Sequence, residues 1–277
     1  MSANQELNWN PSDFQFLQPY TPPKVNASSL DTVVHLKPFV TATYAQSMDS
    51  MLASAPGTQT HLSGPETKRM THALRSCHDA ILIGVNTAIA DDPGLNCRLS
   101  GIGIENQPRP IILDPKGRWN IRESSRILQA AKSGKAKAPW IFTDLAYVSD
   151  ERADLLEAYG GAVVPVRDED DTEAEAGEEG VKFAWEDVMQ ILTSRGIRSL
   201  MVEGGATVIN ELLSQRYRRL VDSVVVTVAP VWLGEGGVRV EPIKWEGLQG
   251  KNETRLVDVT SQRLGDDTVI CGRIKKE

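Results

Sequence analysis

Short apolar segments that alternate with helical patterns constrain the fold of this chain more than any other feature of its sequence. The helical patterns cover about residues 66–77, 150–159, 185–195 and 206–213. Between them, buried strands are predicted at PFVTATYA, AILIGV, RPIILD, PWIFTD, AVVPV, SLMVE and VDSVVVTVAPVWL. A helix that joins two strands returns the chain to the same end of the sheet, so such strands pair in parallel. The alternation therefore predicts an α/β fold with a mostly parallel sheet flanked by helices.

The C-terminal part of the sequence departs from this alternation. The segments TRLVDVTSQRL and TVICGRIKK are joined through Gly265, Asp266 and Asp267. Glycine and aspartate tolerate the backbone angles of the tight turns that connect antiparallel strands. We therefore expect an antiparallel hairpin at the edge of a mixed sheet.

Two polar segments are expected to lie outside the packed body of the domain. Residues 1–36 are interrupted by four prolines, which predicts an extended N-terminal arm that a partner subunit or the domain's own surface could order. Residues 37–277 are expected to form a single domain. Within it, about residues 167–180 (RDEDDTEAEAGEEG) lack apolar periodicity, which favours a solvated surface insertion without chemistry.

Composition limits the classes of ligand. A formal net charge of −7 and a pI near 5.3 argue against a nucleic-acid surface, because phosphate backbones are bound by clustered Lys and Arg. Small molecules are the expected ligands. The three cysteines, Cys77, Cys97 and Cys271, lack the spacing of a zinc site or a disulfide framework, so free thiols and no bound metal are expected. The absence of a run of about 20 apolar residues and of a signal-peptide pattern favours a cytoplasmic protein without a membrane segment.

Several chemistries that depend on known motifs are excluded. Zinc-dependent base deamination needs an H-x-E element followed by P-C-x-x-C, and the chain has neither. The G-x-S-x-G elbow of hydrolases and the G-x-x-x-x-G-K-[ST] phosphate loop are also absent. The GIGIEN segment lacks the third glycine of a dinucleotide fingerprint and follows no strand, which indicates a surface turn.

The segment SLMVEGGATVIN places two glycines between a predicted strand and a predicted helix. The N–H groups at a helix N-terminus have no partners within the helix and attract anions. Gly204 and Gly205 would let a phosphate approach the backbone, and Thr207 would add a hydroxyl in the first turn. The alternative is a plain tight turn of an α/β domain, and both interpretations remain open here.

A second candidate cluster lies in the segment GVNTAIADDPGLNCR. Thr87 and Asp91 are four residues apart and would share one face of a helix that Pro93 ends. Asp91 could accept hydrogen bonds from ribose hydroxyls or a cofactor amide, while Arg75 and Arg98 could receive a substrate phosphate. The alternative is helix termination followed by a turn.

Five segments carry a resemblance to a known family. Across about residues 38–273 they are PFVTATYAQSMDSMLA, THALRSCHDAILIGVNTAIADDPGLNCR, RPIILDPKGRW, LMVEGGATVINELL and VTVAPVWLGEGGV. Together, and in this order, they resemble the riboflavin-biosynthesis reductase family, which has a dihydrofolate-reductase-like fold. Because deaminase residues are missing, the chain is similar to the stand-alone reductases of fungi and archaea rather than to the bacterial fusions with a deaminase. The resemblance also implies a homodimer.

The resemblance implies NADPH-dependent reduction of a pyrimidine ribosyl phosphate, 2,5-diamino-6-ribosylamino-4(3H)-pyrimidinone 5′-phosphate. The ribosylamine would open to an imine-like form, and C1′ would accept the hydride to give a ribityl side chain. Because a carboxylate repels a phosphate, the acid before the two glycines is expected to turn toward substrate. The implied cofactor-contacting positions are Ala45, His61, Thr87, Asp91, Gly204, Gly205, Ala206 and Thr207. The implied substrate-contacting positions are Gln59, Arg75, Leu95, Arg98 and Glu203.

Four positions depart from the family pattern or have two interpretations. The family often has a tryptophan at His61 and a serine at Gln59, and bacterial members often have a glycine at Ser50. Asp49 is a candidate general acid but is equally compatible with orienting its loop. Two other functions remain alternatives: another pterin or dihydrofolate reductase, whose substrate lacks a ribose phosphate, and a non-catalytic NADP-binding regulatory protein.

Overall fold

A mixed sheet with helices on both faces forms the body of the molecule. The computed structural model describes residues 6–23, 37–166, 183–244 and 253–276. The strands are β1 (Phe39–Gln46), β2 (Met51–Ala53), β3 (Ala80–Gly84), β4 (Arg109–Leu113), β5 (Trp140–Asp144), β6 (Ala162–Val166), β7 (Ser199–Val202), β8 (Ser223–Val228), β9 (Val238–Arg239), β10 (Leu256–Leu264) and β11 (Asp267–Ile274). The α-helices are α1 (Pro65–Ser76), α2 (Val85–Asp91), α3 (Arg126–Lys132), α4 (Asp150–Ala158), α5 (Trp185–Ser194) and α6 (Ala206–Leu212).

The strand order explains how distant segments meet. In the described ranges the main sheet has nine strands in the order β10-β11-β8-β1-β7-β3-β4-β5-β6, and β2 pairs with β9 in a separate two-stranded sheet. The strands from β8 to β6 run parallel to one another, whereas β11 pairs antiparallel with both β8 and β10. The predicted mixed, mostly parallel sheet with a C-terminal antiparallel hairpin is confirmed.

Alternating side chains of the central strands build a core on each face of the sheet. In β3, Leu82 belongs to a cluster that contains Trp185 of α5 and Leu212 of α6. The neighbouring Ile81 and Ile83 belong to a second cluster, which α2, α3 and α4 cover on the opposite face. This alternation is the period of two expected for a strand buried on both sides.

The N-terminal segment corrects one expectation. Pro11–Tyr20 forms two short 3₁₀ helices joined at a kink at Phe14, so the prediction of an extended arm is wrong for these residues. Phe14, Leu17 and Tyr20 are three residues apart and are all buried. A 3₁₀ helix has about three residues per turn, so this spacing places the three side chains on one side. The proposed division into residues 1–36 and 37–277 stays a prediction.

Two further expectations concern the periphery of the molecule. The acidic segment at about residues 167–180 lies outside the described residues. None of the helices within the described ranges has both the length and the apolar composition needed to cross a membrane.

Candidate active site

Two strand-to-helix joints lie side by side at the carboxyl edge of the sheet. β3 and β7 are parallel neighbours with Leu82 opposite Val202. Helix α2 follows β3 directly, and three residues separate β7 from helix α6. The Glu203 N–H donates to the Leu82 carbonyl at 3.0 Å, and the Gly84 N–H donates to the Gly204 carbonyl at 3.2 Å. These bonds extend the pairing beyond the strands and hold the two joints together.

At each joint a glycine lies against a side chain of the neighbouring helix, so a larger residue there would have to displace that side chain. A Cβ on Gly205 would lie 2.9 Å from the Thr87 hydroxyl oxygen, and a Cβ on Gly84 would lie 3.0 Å from a methyl group of Val208. Gly204 has a φ of +93°, and the peptide bond between Gly204 and Gly205 is cis. The structure therefore brings Thr87 against Gly205. The sequence analysis predicted the glycine pair and the Thr87–Asp91 helix as two separate candidate clusters.

The first turns of α2 and α6 have no side-chain cap among the described residues, so their N–H groups point toward the joint. Ala206 and Thr207 begin α6, and Thr207 is exposed. Ala45 lies near the carboxyl end of β1, opposite Thr227 of β8. The joint thus offers backbone donors and the hydroxyls of Thr87 and Thr207 to an anionic ligand.

Asp91 lies one helical turn after Thr87, at the end of α2. Burial raises the pKa of Asp91, and the nearby His61 and Arg126 oppose this shift. The exposed His61, from the segment between β2 and α1, is therefore close to α2. The helix ends where Asp92 adopts a left-handed φ of +39° before Pro93, as predicted from the sequence.

Arg75 and Glu203 form a buried ion pair beside the glycine turn. Arg75 Nε and Nη2 donate to the two Glu203 carboxylate oxygens at 2.7 and 2.6 Å, and Arg75 Nη1 donates to the Asn96 carbonyl at 3.0 Å. Burial alone would lower the Arg75 pKa, but the attraction of Glu203 outweighs burial, so the pKa is raised. Both Glu203 oxygens are thus held by Arg75, and the expected turn of Glu203 toward substrate stays a prediction.

Arg98 packs against the buried imidazole of His72. The Arg98 backbone N–H lies 3.1 Å from His72 Nδ1, and Arg98 Nε lies 3.2 Å from His72 Nε2. Burial, together with Arg75 and Arg98, lowers the pKa of His72 to about 2, so its imidazole is neutral. Burial and two neighbouring guanidinium groups, Arg75 and Arg126, lower the pKa of Arg98. This cluster of cations is suited to a ligand with negative charge.

Sequence reasoning missed His72, and a signal for it was present. His72 lies three residues before Arg75 in α1, so the two side chains occupy the same side of the helix. Between this helix and Arg98, Leu95 is buried in the left-handed region with a φ of +52°. The structure therefore brings Arg75, His72, Arg98 and Glu203 together, whereas Leu95 packs in the cluster formed by β3 and α2.

Asp49 organises the loop after β1. Its carboxylate accepts hydrogen bonds from the Ser47 hydroxyl at 2.5 Å and from the N–H groups of Leu233 and Gly234 at 3.1 and 2.9 Å. The bond from Ser47 is the largest cause that lowers the Asp49 pKa to about 2. Ser50 has a φ of +63°, which accounts for the glycine that bacterial members often have there. These contacts favour the loop-orienting interpretation of Asp49.

Gln59 is exposed in the segment between β2 and α1, and its expected contact with substrate stays a prediction. The roles of the other site residues in binding cofactor or substrate likewise stay predictions, because the distances given above join atoms of the protein to one another.

With this geometry in view, comparison with known proteins identifies the family. Residues 38–270 match the model of the RibD C-terminal domain. The chain belongs to the RibD C-terminal domain family. The resemblance to riboflavin-biosynthesis reductases is thereby confirmed, and family membership covers both joints and the Arg75–Glu203 pair.

Named members of the family include two fungal proteins called 2,5-diamino-6-ribosylamino-4(3H)-pyrimidinone 5′-phosphate reductase. The Debaryomyces hansenii protein is 40% identical over 243 residues, which cover 86% of this chain and 90% of that protein. The Saccharomyces cerevisiae protein is 35% identical over 263 residues, which cover 94% of each chain.

A solved structure of the S. cerevisiae riboflavin biosynthesis reductase Rib7 superposes with a TM-score of 0.71 at 33% identity, covering 94% of this chain and 98% of that one. A structure of RibD from Acinetobacter baumannii gives a TM-score of 0.66 at 23% identity and covers 87% of this chain and 59% of that one. The second likeness supports the fold alone.

Proposed function

We propose that this protein is an oxidoreductase that uses NADPH to reduce 2,5-diamino-6-ribosylamino-4(3H)-pyrimidinone 5′-phosphate to its ribitylamino product. One observation carries the proposal: the joint from Glu203 to Thr207 borders two different groups of side chains. On one side, Gly205 lies against Thr87; on the other, Glu203 is held by Arg75 next to Arg98. The names of the fungal relatives support the same reaction.

The glycine joint fits a dinucleotide phosphate. Gly205 and Thr87 are too close to admit a Cβ, so the surface there is backbone and hydroxyl. The uncapped N–H groups of α2 and α6 would bind phosphate oxygens, and Asp91 would accept hydrogen bonds from ribose hydroxyls. Ala45 and His61 would complete this side of the site. NADPH, when bound, would supply the hydride.

The cation cluster fits the phosphorylated substrate. Arg98, with His72 behind it, would bind the 5′-phosphate, while Glu203 would accept hydrogen bonds from substrate N–H or O–H groups. Leu95 and Gln59 would contact the same ligand. Opening of the ribosylamine ring forms a C1′=N bond and a C4′ hydroxyl. The hydride then adds to C1′ and a proton to the nitrogen, so the net reaction consumes one NADPH and one proton.

Asp49 is proposed as a positioning residue rather than the proton donor. A carboxyl with a pKa of about 2 is ionised at neutral pH and has no proton to give. Its bonds to Leu233 and Gly234 join the loop after β1 to the segment after β8, and β1 also carries Ala45.

The proposed reaction is tested by mixing the purified protein with NADPH and the ribosylamino-pyrimidinone 5′-phosphate and following the absorbance of the reduced nicotinamide. Oxidation that requires the substrate's phosphate supports the proposal and separates it from reduction of a pterin or dihydrofolate. Tight NADPH binding without oxidation by this substrate or its deaminated counterpart would refute it.

The homodimer that the resemblance implies and the cytoplasmic location expected from the sequence are part of the same proposal. We infer a homodimer in the cytoplasm and an enzyme of the oxidoreductase class that acts on CH–OH groups. Light scattering coupled to gel filtration measures the assembly state directly, and a mass of one chain at assay concentration would contradict the dimer.

A further inference from the structure

Residues 6–20 lie outside the family match, which begins at residue 38, yet they contact the part of the site that carries Arg98. The Leu7 N–H donates to the Arg98 carbonyl at 2.8 Å, and the Ser100 N–H donates to the Leu7 carbonyl at 3.1 Å. The Trp9 indole N–H donates to the Ser100 carbonyl at 3.3 Å. The N-terminal segment thus fixes the backbone on both sides of Leu99.

Buried side chains of the same segment pack on both elements that carry the substrate-site cations. Phe14, Leu17 and Tyr20 share one cluster with Met70, Ala73 and Leu74 of α1 and with Cys97 and Leu99. Helix α1 carries His72 and Arg75, while Cys97 and Leu99 flank Arg98 in the chain. The ring of Trp9 stacks on Phe14 with centroids 6.4 Å apart, which links the β-bridge to this cluster.

The side chain of Arg98 extends from this restrained backbone toward helix α1. Arg98 Nε and Nη2 lie 3.2 and 3.1 Å from His72 Nε2. The Leu7 N–H holds the Arg98 carbonyl at 2.8 Å, so the bridge fixes the point of the chain from which the guanidinium extends.

We propose that the N-terminal segment Leu7–Tyr20 is a positioning element of the substrate site, which holds the Arg98 backbone so that its guanidinium meets the substrate's anionic group. This inference rests on the proposed function. Leu7 and Trp9 would affect substrate binding by holding Arg98 in place, and they would not affect the binding of NADPH.

The test compares Leu7→Pro with Leu7→Ala in the full-length chain. Proline removes the N–H that donates to Arg98, whereas alanine keeps it and removes only the side chain. Loss of one restraining hydrogen bond is expected to raise the substrate KM about fivefold in Leu7→Pro and less than about twofold in Leu7→Ala. The KM for NADPH and kcat should stay within about twofold of wild type in both variants.

A double-mutant cycle shows whether Leu7 acts through Arg98. In the Arg98→Ala background, Leu7→Pro should change the substrate KM by less than about twofold, since the group that it positions is gone. An undiminished effect in that background, or an equal rise in the KM for NADPH, would overturn the inference. Should Leu7→Pro fail to fold, Trp9→Phe provides the same comparison, because it keeps the ring on Phe14 and removes only the bond to Ser100.

Two measurements keep this inference separate from the proposed function. Hydrogen exchange of the free protein should be faster at residues 97–100 in Leu7→Pro and unchanged in α6; unchanged exchange at 97–100 would refute the restraint. Calorimetry without NADPH should show weaker binding of the ribosylamino-pyrimidinone phosphate to Leu7→Pro than to Leu7→Ala. Failure of the wild-type protein to oxidise NADPH would count against the proposed reaction, whereas equal binding by the two variants would count against the positioning role.

Discussion

Arg75 and Glu203 are both expected to face substrate, and each neutralises the other. Two hydrogen bonds, one to each carboxylate oxygen, join the guanidinium to the carboxylate, and the side chains are 15% and 14% exposed. A carboxylate oxygen can accept two hydrogen bonds, so Glu203 can accept one from a ligand while Arg75 compensates its charge. The charge of Arg75 thereby compensates the cost of burying the Glu203 carboxylate next to the proposed phosphate-binding turn.

Removing the charge of Glu203 should destabilise the protein. Glu203→Gln leaves the buried Arg75 guanidinium without a compensating charge, which costs about 3 kcal/mol in free energy of unfolding. Urea unfolding monitored by circular dichroism measures this loss. The control is Glu186→Gln, because Glu186 pairs with Arg219 at the surface, where the side chains are 43% and 69% exposed. That variant should change stability by less than about 0.5 kcal/mol, and equal losses in both variants would contradict the prediction.

His78 makes the stability of the protein depend on pH. It is buried between the Leu74 carbonyl and the Thr41 hydroxyl, and burial lowers its pKa from 6.5 to about 4. Between these two values the unfolded chain binds more protons than the folded one, so stability falls as pH falls. We expect a loss of about 2 kcal/mol between pH 7 and pH 5 from His78, and a comparable loss from His72.

Urea unfolding at a series of pH values tests this expectation. His78→Leu removes one of the two titrating groups and should reduce the slope of stability against pH by about half, although it lowers stability at neutral pH. Thr41→Val is the matched control, because it removes the hydrogen bond from the Thr41 hydroxyl and keeps the buried imidazole. Identical slopes for wild type and His78→Leu would show that another group governs the acid response.

At the scale of elements, helix α1 is capped by a residue from the far end of the chain. Its N-cap residue is Gly64, which has no side chain, and the Asp267 carboxylate instead accepts the Gly64 N–H at 2.8 Å and the Thr67 hydroxyl at 2.5 Å. Asp267 is 3% exposed and begins β11. The hairpin therefore holds the start of the helix that carries Arg75.

Asp267→Ala should lower the free energy of unfolding by about 1.5 kcal/mol, since a helix cap is lost and a buried hydroxyl loses its acceptor. The adjacent Asp266 is the matched control, because its side chain is 92% exposed and lies 3.9 Å from Arg263. Asp266→Ala should leave stability within about 0.5 kcal/mol of wild type. Thermal and urea unfolding give both values, and equal effects would show that the cap is not needed.

The elements with strong periodicity could be predicted from the sequence, and the weak ones could not. Helix α5 was expected at residues 185–195 and is Trp185–Ser194, because its apolar residues repeat with a helical period. β2 and β9 have three and two residues, too few to show any alternation. The 3₁₀ segment Pro11–Tyr20 was missed because its prolines resemble those of an extended arm.

The individual segments of the candidate site could be predicted from the sequence, but the contacts between these segments could not. The glycine pair and the Thr87–Asp91 helix were recognised separately, but the approach of Thr87 to Gly205 depends on β3 lying beside β7. Strand order is set by tertiary packing, which local periodicity does not encode. The Arg75–Glu203 pair was hidden for the same reason, since its two residues are 128 positions apart.

At the scale of the whole molecule, the N-terminal segment is part of the folded body. Leu17 is 3% exposed and packs in the cluster that also contains Val225 and Val269 of the sheet. Tyr20 adds a polar link, because its carbonyl accepts a hydrogen bond from the Ser223 hydroxyl at 2.7 Å. Residues outside the family match therefore cover the part of the sheet formed by β7, β8 and β11 on one face.

Leu17→Ala should lower the free energy of unfolding by about 3 kcal/mol, because it leaves a cavity in this cluster. Gln18→Ala changes an exposed neighbour and should have an effect below about 0.5 kcal/mol. Both values are measured by urea unfolding. A loss below about 1 kcal/mol for Leu17→Ala would mean that the segment contributes little to the core.

The central position of β1 has a consequence for synthesis in the cell. Although β1 is the first strand in the described part of the chain, both of its neighbours, β7 and β8, are made late in translation. Until they leave the ribosome, the nascent chain carries an apolar strand with two open edges, a state prone to aggregation. Pairing over such long separations is also slow. We therefore expect the newly made protein to bind chaperones until β8 has emerged, and a messenger that stalls before β8 to yield aggregated product.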